Sequence, residues 1–215
     1  VLKGLGEAKP TSRPIAVLSR TNAGLGTVEV GLLKAHIPYV VSRGCGFFGR
    51  REVKAALAYL RLAFNLGITD EVVRVAASTP PKYLGRKFSE AVAEQLARGL
   101  APVAAIDKAG SFSSRWEDGA DELATAVEAV AKETDLASAV QRVVLTLRSA
   151  FEGRQEGSGD DSRVENLIVL TQIAAGFASA AELLEYAEQG GKAKEANGLA
   201  AVVTLSTVHG FKGLE

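Results

Sequence analysis

The sequence predicts an α/β fold in which a small parallel-sheet domain is interrupted by a mostly α-helical insertion. Three observations predict it. Two short apolar runs, Ile15-Ala16-Val17-Leu18 and Tyr39-Val40-Val41, alternate with helix-like stretches early in the chain, and strand alternating with helix is the pattern of a parallel sheet. From Gly67 to about Glu195 the pattern changes to helices and loops with no convincing strand. Ala200-Ala201-Val202-Val203-Thr204-Leu205 then returns to a strand-like run. The expected division is therefore residues 1–66, a helical insertion over 67–197, and a return to the sheet domain over 198–215.

Each element follows from local pattern. Residues 1–14 contain Gly4, Gly6, Pro10 and Pro14 and read as loop. The run from Ile15 is continuously apolar, as in a buried parallel strand. The polar, glycine-containing stretch from Ser19 to Gly26 reads as a loop at that strand's C-terminal end. Val28, Leu32 and Leu33 mark a short helix that closes before Pro38, because proline disfavours helical backbone in the residue before it. Val53, Ala56, Leu57, Leu60 and Phe64 predict a helix over 51–64. Further helices are expected near 70–77, 87–98, 120–133 and 136–151. Ser162 with Glu165, and Ser179 with Glu182, have capping-box spacing and should open two more; Leu167, Leu170 and Ile173 follow the first. Loops are expected from Gly110 to Gly119 and from Gly153 to Ser162, the second rich in glycine and acid.

With 215 residues, 47% hydrophobic and 23% charged, the chain has room for one large domain or two small ones. No apolar run approaches the ~18 residues of a membrane span, and no signal-like segment opens the sequence. Cys45 is the single cysteine and cannot form an internal disulfide, which suits the cytoplasm. The formal net charge is zero, but its distribution is uneven. Residues 1–65 carry ten Lys/Arg against three Asp/Glu, and residues 66–195 fourteen against twenty-one. The basic part is the better candidate for a phosphate-bearing partner.

Gly44-Cys45-Gly46-Phe47-Phe48-Gly49 fits the GxGxxG pattern, whose glycines in a dinucleotide-binding enzyme let the backbone approach a pyrophosphate. Two phenylalanines suit a core plug better, and the next acids, Asp70 and Glu71, come only after a completed helix, so this is the weakest functional reading. Neither Gly4 to Lys9 nor Gly190-Gly191-Lys192 completes a P-loop. His36 and His209 have no partner at ligand spacing, so no metal site is expected, and no residue of this chain is assigned a catalytic role. Two clusters are more informative. Thr207, His209 and Lys212 follow the last apolar run directly, and Arg20, Thr21 and Asn22 follow the first. Parallel sheets bind ligands at the C-terminal ends of their strands, and hydroxyl, imidazole, guanidinium and ammonium groups suit phosphate oxygens. On spacing alone, two polar surface loops are an equal reading.

Five blocks resemble the UvrD/PcrA/Rep helicases of superfamily 1. Ala16-Val17-Leu18-Ser19-Arg20-Thr21-Asn22 is similar to their "vLyRtN" segment, and residues 47–61 to "FFeRkEIKDaLaYLR". Ser78-Thr79-Pro80-Pro81-Lys82 resembles the opening of "NTPxRGIG", and Ser162-Arg163-Val164-Glu165-Asn166-Leu167 resembles "SRvENL". Thr207-Val208-His209-Gly210-Phe211-Lys212-Gly213-Leu214-Glu215 resembles motif V, "TxHxaKGLE". The blocks stand in the family's order from about residue 15 to the last residue. The sequence departs from the pattern at Tyr83-Leu84-Gly85, where the family has Gly-Ile-Gly, and at Gly210-Phe211.

The resemblance implies a partial second RecA-like domain carrying the helical insertion often called 2B. It implies that Arg20 and Asn22 lie near single-stranded DNA and that Thr207, His209 and Lys212 contact its backbone. Gly213 and Glu215 would approach ATP, Glu215 at the ribose. ATP and Mg²⁺ would serve the full-length protein, and the partners would be single-stranded DNA, a duplex junction and the first RecA-like domain. Movement would run 3′ to 5′. The Walker A lysine, the Walker B acids and the arginine that senses the γ-phosphate are expected outside this chain. Alone it should then neither hydrolyse ATP nor unwind DNA, for want of the groups that stabilise phosphoryl transfer. A non-catalytic DNA- or protein-binding module derived from such a motor is the alternative.

Overall fold

Ile15–Ser19 (β1), Tyr39–Val41 (β2) and Val203–Thr207 (β3) form a parallel sheet in which the last strand lies between the other two. We describe it from a computed structural model covering residues 15–35, 37, 39–41, 46–151, 160–196 and 203–211. Ile15 stands opposite Val203, and the register runs on to Ser19 opposite Thr207. Tyr39 through Val41 pair with Val203 through Leu205 on the other side. The predicted loop over residues 1–14, together with Cys45, Gly44 and His36, lies outside the described residues.

The chain divides into two compact units, residues 1–50 with 185–215, and residues 51–184. In the first, helix α1 (Asn22–Lys34) packs on the sheet. Leu25 and Leu32 meet Ile37, Tyr39, Val203 and Leu205 in its core, with Ile15, Val17, Val28 and Val41 packed at the margin. Only β1 departs from its expected burial. Ile15 and Val17 turn toward the core under α1 while Ala16 and Leu18 are exposed, because among the described residues only one face of β1 is packed. The helix also begins earlier than its apolar residues suggested, since Thr21 Oγ1 accepts from the Gly24 amide at 3.2 Å and closes the first turn.

The described part of the GxGxxG segment, Gly46 to Gly49, is a structural plug. Phe47–Gly49 forms a 3-10 turn with Phe47 and Phe48 buried edge to face, ring centroids 5.2 Å apart. Glu29 of α1 is buried beside it and anchors the turn. The Phe47 amide donates to Glu29 Oε2 at 2.7 Å, and the Tyr39 hydroxyl donates to Oε1 at 3.0 Å. A Cβ on Gly46 would stand 2.6 Å from that carboxylate, so the backbone approaches an internal acid there. Burial holds the Tyr39 phenol far above its usual range, and the Glu29 charge adds to this.

The second unit is helical throughout its described residues. Helix α2 (Arg51–Ala63) is buried on nearly every face, from Val53 to Leu62, as expected for a helix enclosed by others. Around it stand α3 (Asp70–Ser78), α4 (Arg86–Ala97), α5 (Pro102–Gly110), α6 (Ser114–Ala131), α7 (Leu136–Phe151) and α8 (Asp160–Ala174). Helix α9 (Ala180–Ala196) leads from this unit back to the first. Ser179 caps it as expected. Its hydroxyl accepts from the Glu182 amide at 3.3 Å, and the Glu182 carboxylate accepts from the Ala178 amide at 3.0 Å.

Three expectations are corrected here. Helix α5 was not foreseen; Pro102 sits at its first position, where a missing N–H costs nothing. The predicted loop from Gly110 to Gly119 shrinks to residues 111–113, because both glycines belong to helices. They are there for packing. A Cβ on Gly110 would lie 2.6 Å from the Ala120 methyl, and one on Gly119 2.5 Å from the Lys82 carbonyl oxygen. Helix α8 starts at Asp160, so Ser162 lies within it and does not cap it. The remainder of the predicted loop from Gly153 to Ser162, residues 153–159, is outside the described residues.

Candidate nucleic-acid interface

The parallel register decides what the two polar clusters have in common. Ser19 and Thr207 are partners at the C-terminal ends of adjacent strands, and parallel neighbours lie about 4.8 Å apart. Arg20 and Thr21 leave β1 at the same edge from which Val208 and His209 leave β3. The sequence placed both clusters after strands; the structure puts those strands side by side.

Each loop is held by its own short hydrogen bonds. The Thr21 amide donates to Ser19 Oγ at 3.4 Å. On the other strand Thr207 Oγ1 accepts from the Gly210 amide at 3.1 Å and closes the short helix α10 (Val208–Phe211). That helix replaces the polar loop expected after the strand. The Thr207 hydroxyl uses a lone pair in this bond and keeps its hydrogen to donate. Arg20 and His209 are exposed, free of the core, and carry the donors suited to phosphate oxygen. Leu18 and Val208 are exposed on the same unit as apolar neighbours of the polar groups.

Sequence reasoning missed Ser19 and Gly24. A Cβ on Gly24 would reach within 2.5 Å of Ser19 Oγ and 3.5 Å of Thr21 Oγ1, so this glycine lets α1 begin tight against the β1 loop. Its only signal was a glycine near the start of a helix. Asn22 opens α1, with its backbone at the same edge. Lys212, Gly213 and Glu215 lie outside the described residues. Among the described residues no group of three or more His, Cys, Asp or Glu could hold a metal ion, and no helix is long and apolar enough to cross a membrane.

Other motif residues turn inward, in the helical unit. Asn166 Nδ2 donates to Glu52 Oε1, both residues buried, which joins the "SRVENL" block to the "FFGRRE" block. Lys82 Nζ donates to the Tyr59 hydroxyl at 3.0 Å and to the Pro80 carbonyl at 3.3 Å, and lies 3.5 Å from the Glu122 carboxylate. Burial lowers the Lys82 pKa, opposed by Glu122, while burial raises the Tyr59 phenol well above its usual range.

These features define a class: a parallel α/β unit that presents polar loops at its strand ends and carries a helical unit between its second and its last strand. The chain belongs to the family of UvrD-like helicase C-terminal domains, which it matches over residues 2–215. It is 30% identical to DNA helicase II of Salmonella typhimurium, and equally to DNA helicase II of Escherichia coli, with 93% of this chain aligned to 30% of each relative. It is 27% identical to the ATP-dependent DNA helicase PcrA of Bacillus subtilis, over 94% of this chain and 30% of the relative. The chain thus corresponds to the C-terminal domain region of a UvrD/PcrA-type helicase and spans less than a third of the relatives' length.

Proposed function

We propose that this chain supplies one side of the single-stranded DNA track of an ATP-dependent, 3′-to-5′ DNA helicase. Residues 1–66 and 198–215 would form part of the second RecA-like domain, and residues 67–197 its insertion. The observation that carries the proposal is the pairing of Ser19 with Thr207, which sets the Arg20 and His209 loops beside each other at one sheet edge. Arg20, Thr207 and His209 would hold successive backbone phosphates, joined by Asn22 and Lys212. Contacts of this kind fix position without reading sequence, and their strength falls steeply with salt. Leu18 and Val208 would be covered by the rest of the protein, the first RecA-like domain above all.

Gly213 and Glu215 would face ATP in the full-length protein, where Mg²⁺ and the phosphate-binding groups come from elsewhere. No catalytic step is assigned to a described residue. The chain alone should not hydrolyse ATP, and an ATPase rate that rises with chain concentration and survives repurification would overturn this.

The test of the track is fluorescence anisotropy of a labelled 3′-tailed duplex at low and moderate salt, with wild type and His209→Ala. Salt-sensitive, sequence-indifferent binding that the substitution weakens severalfold is expected. Binding unaffected by His209→Ala, or none even at low salt, would remove the track from this edge.

A further inference from the structure

Helix α1 joins two places within the sheet unit that the paired loops leave unconnected. It begins at the sheet edge, directly after Arg20 and Thr21. Further along, it holds the two points at which the chain leaves this unit, after Arg50, and re-enters it, at Glu185. Beside the exit, the buried Glu29 accepts from the Phe47 amide at 2.7 Å. Gly26 lets the Phe47 ring lie against the helix, since a Cβ there would come within 2.5 Å of the ring. At the re-entry, the Tyr186 hydroxyl donates to the Val30 carbonyl at 3.2 Å. Phe48 and Tyr186 then meet edge to face, with ring centroids 5.7 Å apart. Gly26, Glu29 and Val30 stand three and four residues apart, so one face of α1 fastens both crossings.

By composition α1 is a weak helix. Three of its thirteen residues are glycine, and Thr27, Val28 and Val30 are β-branched; both classes disfavour helix. Its first turn is held by few bonds. Thr21 Oγ1 accepts from the Gly24 amide at 3.2 Å, and the Leu25 amide donates to the Thr21 carbonyl at 3.4 Å. No acidic residue stands in that turn to complement the helix dipole, a role that an arriving phosphate would fill. A helix of this kind is ordered by what it touches. Order at one end also spreads along it, because helix formation is cooperative. Fixing the first turn therefore stiffens Glu29 and Val30, and with them the segments they hold.

We propose that α1 is a relay: DNA phosphate at the Arg20–Asn22 edge orders the helix start, and Glu29 and Val30 pass that order to the two crossings. Glu29 acts here as a positioning residue, out of reach of the DNA. The inference rests on the reading of this edge as part of a DNA track. Binding and ordering are reciprocal, so a more ordered α1 should also bind DNA more tightly.

The experiment is hydrogen exchange of the 215-residue chain with and without saturating 3′-tailed duplex, followed in peptides covering residues 47–50 and 185–188. DNA should slow exchange in both by about fivefold, the low end of ordinary coupling. Glu29→Gln, compared at its own saturation, should lose the slowing at 47–50. Tyr186→Phe keeps the ring on Phe48 and loses only the hydroxyl, so it should lose the slowing at 185–188 alone. Thr27→Ala replaces an exposed β-branched residue with the strongest helix former. Without DNA it should already slow exchange at both crossings by about twofold to threefold, and it should tighten DNA binding by a similar factor. Were Glu29→Gln too unstable to compare, Thr27→Ala would decide alone. DNA that binds without slowing either crossing overturns the relay and leaves the track intact. Equal slowing in wild type, Glu29→Gln and Tyr186→Phe also overturns it, since DNA would then be covering the crossings directly. Absence of DNA binding even at low salt defeats the track and the relay together.

Discussion

The two units place their motif residues in opposite surroundings. In the sheet unit, Arg20 and His209 are exposed at the end of paired strands. In the helical unit, Glu52, Lys82 and Asn166 are buried, each held by another buried or partly buried polar group. Similar-looking blocks of sequence thus encode exposed polar side chains in one unit and internal scaffolding in the other. A short polar motif therefore says little about function until its burial is known. A buried polar group that loses its partner costs stability, whereas an exposed one that is lost costs only what it touches.

The sharpest way to break this comparison is Asn166→Ala. It removes a donor from the buried Glu52 carboxylate, which is 5% exposed. The expected loss is about 2–3 kcal/mol, typical of a buried charged group deprived of a hydrogen bond. In a chain of this length that is a fall in Tm of roughly 5–10 °C, followed by far-ultraviolet circular dichroism. DNA affinity measured well below the transition should be unchanged. A variant that melts normally but binds DNA poorly would place Asn166 at the ligand and reverse its role.

Glycine substitutions sharpen the same contrast at smaller scale. A methyl group on Gly119 would meet the Lys82 carbonyl oxygen at 2.5 Å, and a backbone atom cannot rotate aside. Gly119→Ala should cost about 1–3 kcal/mol, the usual range for an overpacked interior. On Gly24 the methyl would meet the Ser19 hydroxyl, also at 2.5 Å, but a serine side chain can turn away. Gly24→Ala should cost less in stability and should weaken DNA binding by displacing the Ser19–Thr21 loop. Denaturant midpoints with anisotropy on the same samples separate the two, and equal stability losses would show that the β1 loop is as rigid as the helical interior.

Much of this was legible in the sequence, and the exceptions have physical causes. The three strands were visible as apolar runs, and their surroundings as helices, because burial writes its period into the residues. The strand order was not visible. Nothing local in Val203–Thr207 indicates that it inserts between β1 and β2. Gly110 and Gly119 misled for a related reason: in sequence a packing glycine looks like a chain breaker, and only the contact at Lys82 or Ala120 tells them apart. Arg20 and His209 were legible as candidates, but their common edge depends on a register that long-range pairing sets.

Alkaline pH offers a graded test of the buried network. The Tyr59 phenol is raised above its usual value of 10.0, chiefly by burial. Above pH 10 the unfolded chain releases a proton that the native state still holds, so this group's contribution to stability is full below that pH and falls as pH rises. Lys82 acts with the opposite sign. Its pKa is lowered from 10.5, so between the lowered value and 10.5 the unfolded chain binds a proton that the native state has given up, and stability rises with pH across that window. The two oppose each other near pH 10, and above it the tyrosine effect dominates. Guanidinium midpoints should therefore fall between about pH 10 and about pH 11 in wild type. Tyr59→Phe should make that fall shallower, with Tyr39 and Tyr186 still contributing, while lowering the midpoint at neutral pH slightly, through the bond lost to Lys82. An equally steep fall in the variant would assign it to Tyr39 and Tyr186 of the sheet unit, the latter with a pKa pushed up to about 12, mainly by burial.

The smallest effect on stability is expected from Arg20→Ala, and it is the most discriminating. Arg20 is exposed beyond the end of an edge strand, so its removal should change unfolding free energy by less than about 0.5 kcal/mol. If it neutralises one phosphate, the slope of log K against log salt should become shallower by about 0.9 for duplex, or about 0.7 for single-stranded DNA. A salt slope is insensitive to modest changes in folding, so it separates a contact residue from a structural one even where affinities shift together. Weaker binding with an unchanged slope would mean that Arg20 shapes the loop without touching phosphate. The side chains of the sheet edge would then owe their exposure to the fold and not to DNA, and the contrast between the two units would reduce to a difference in burial.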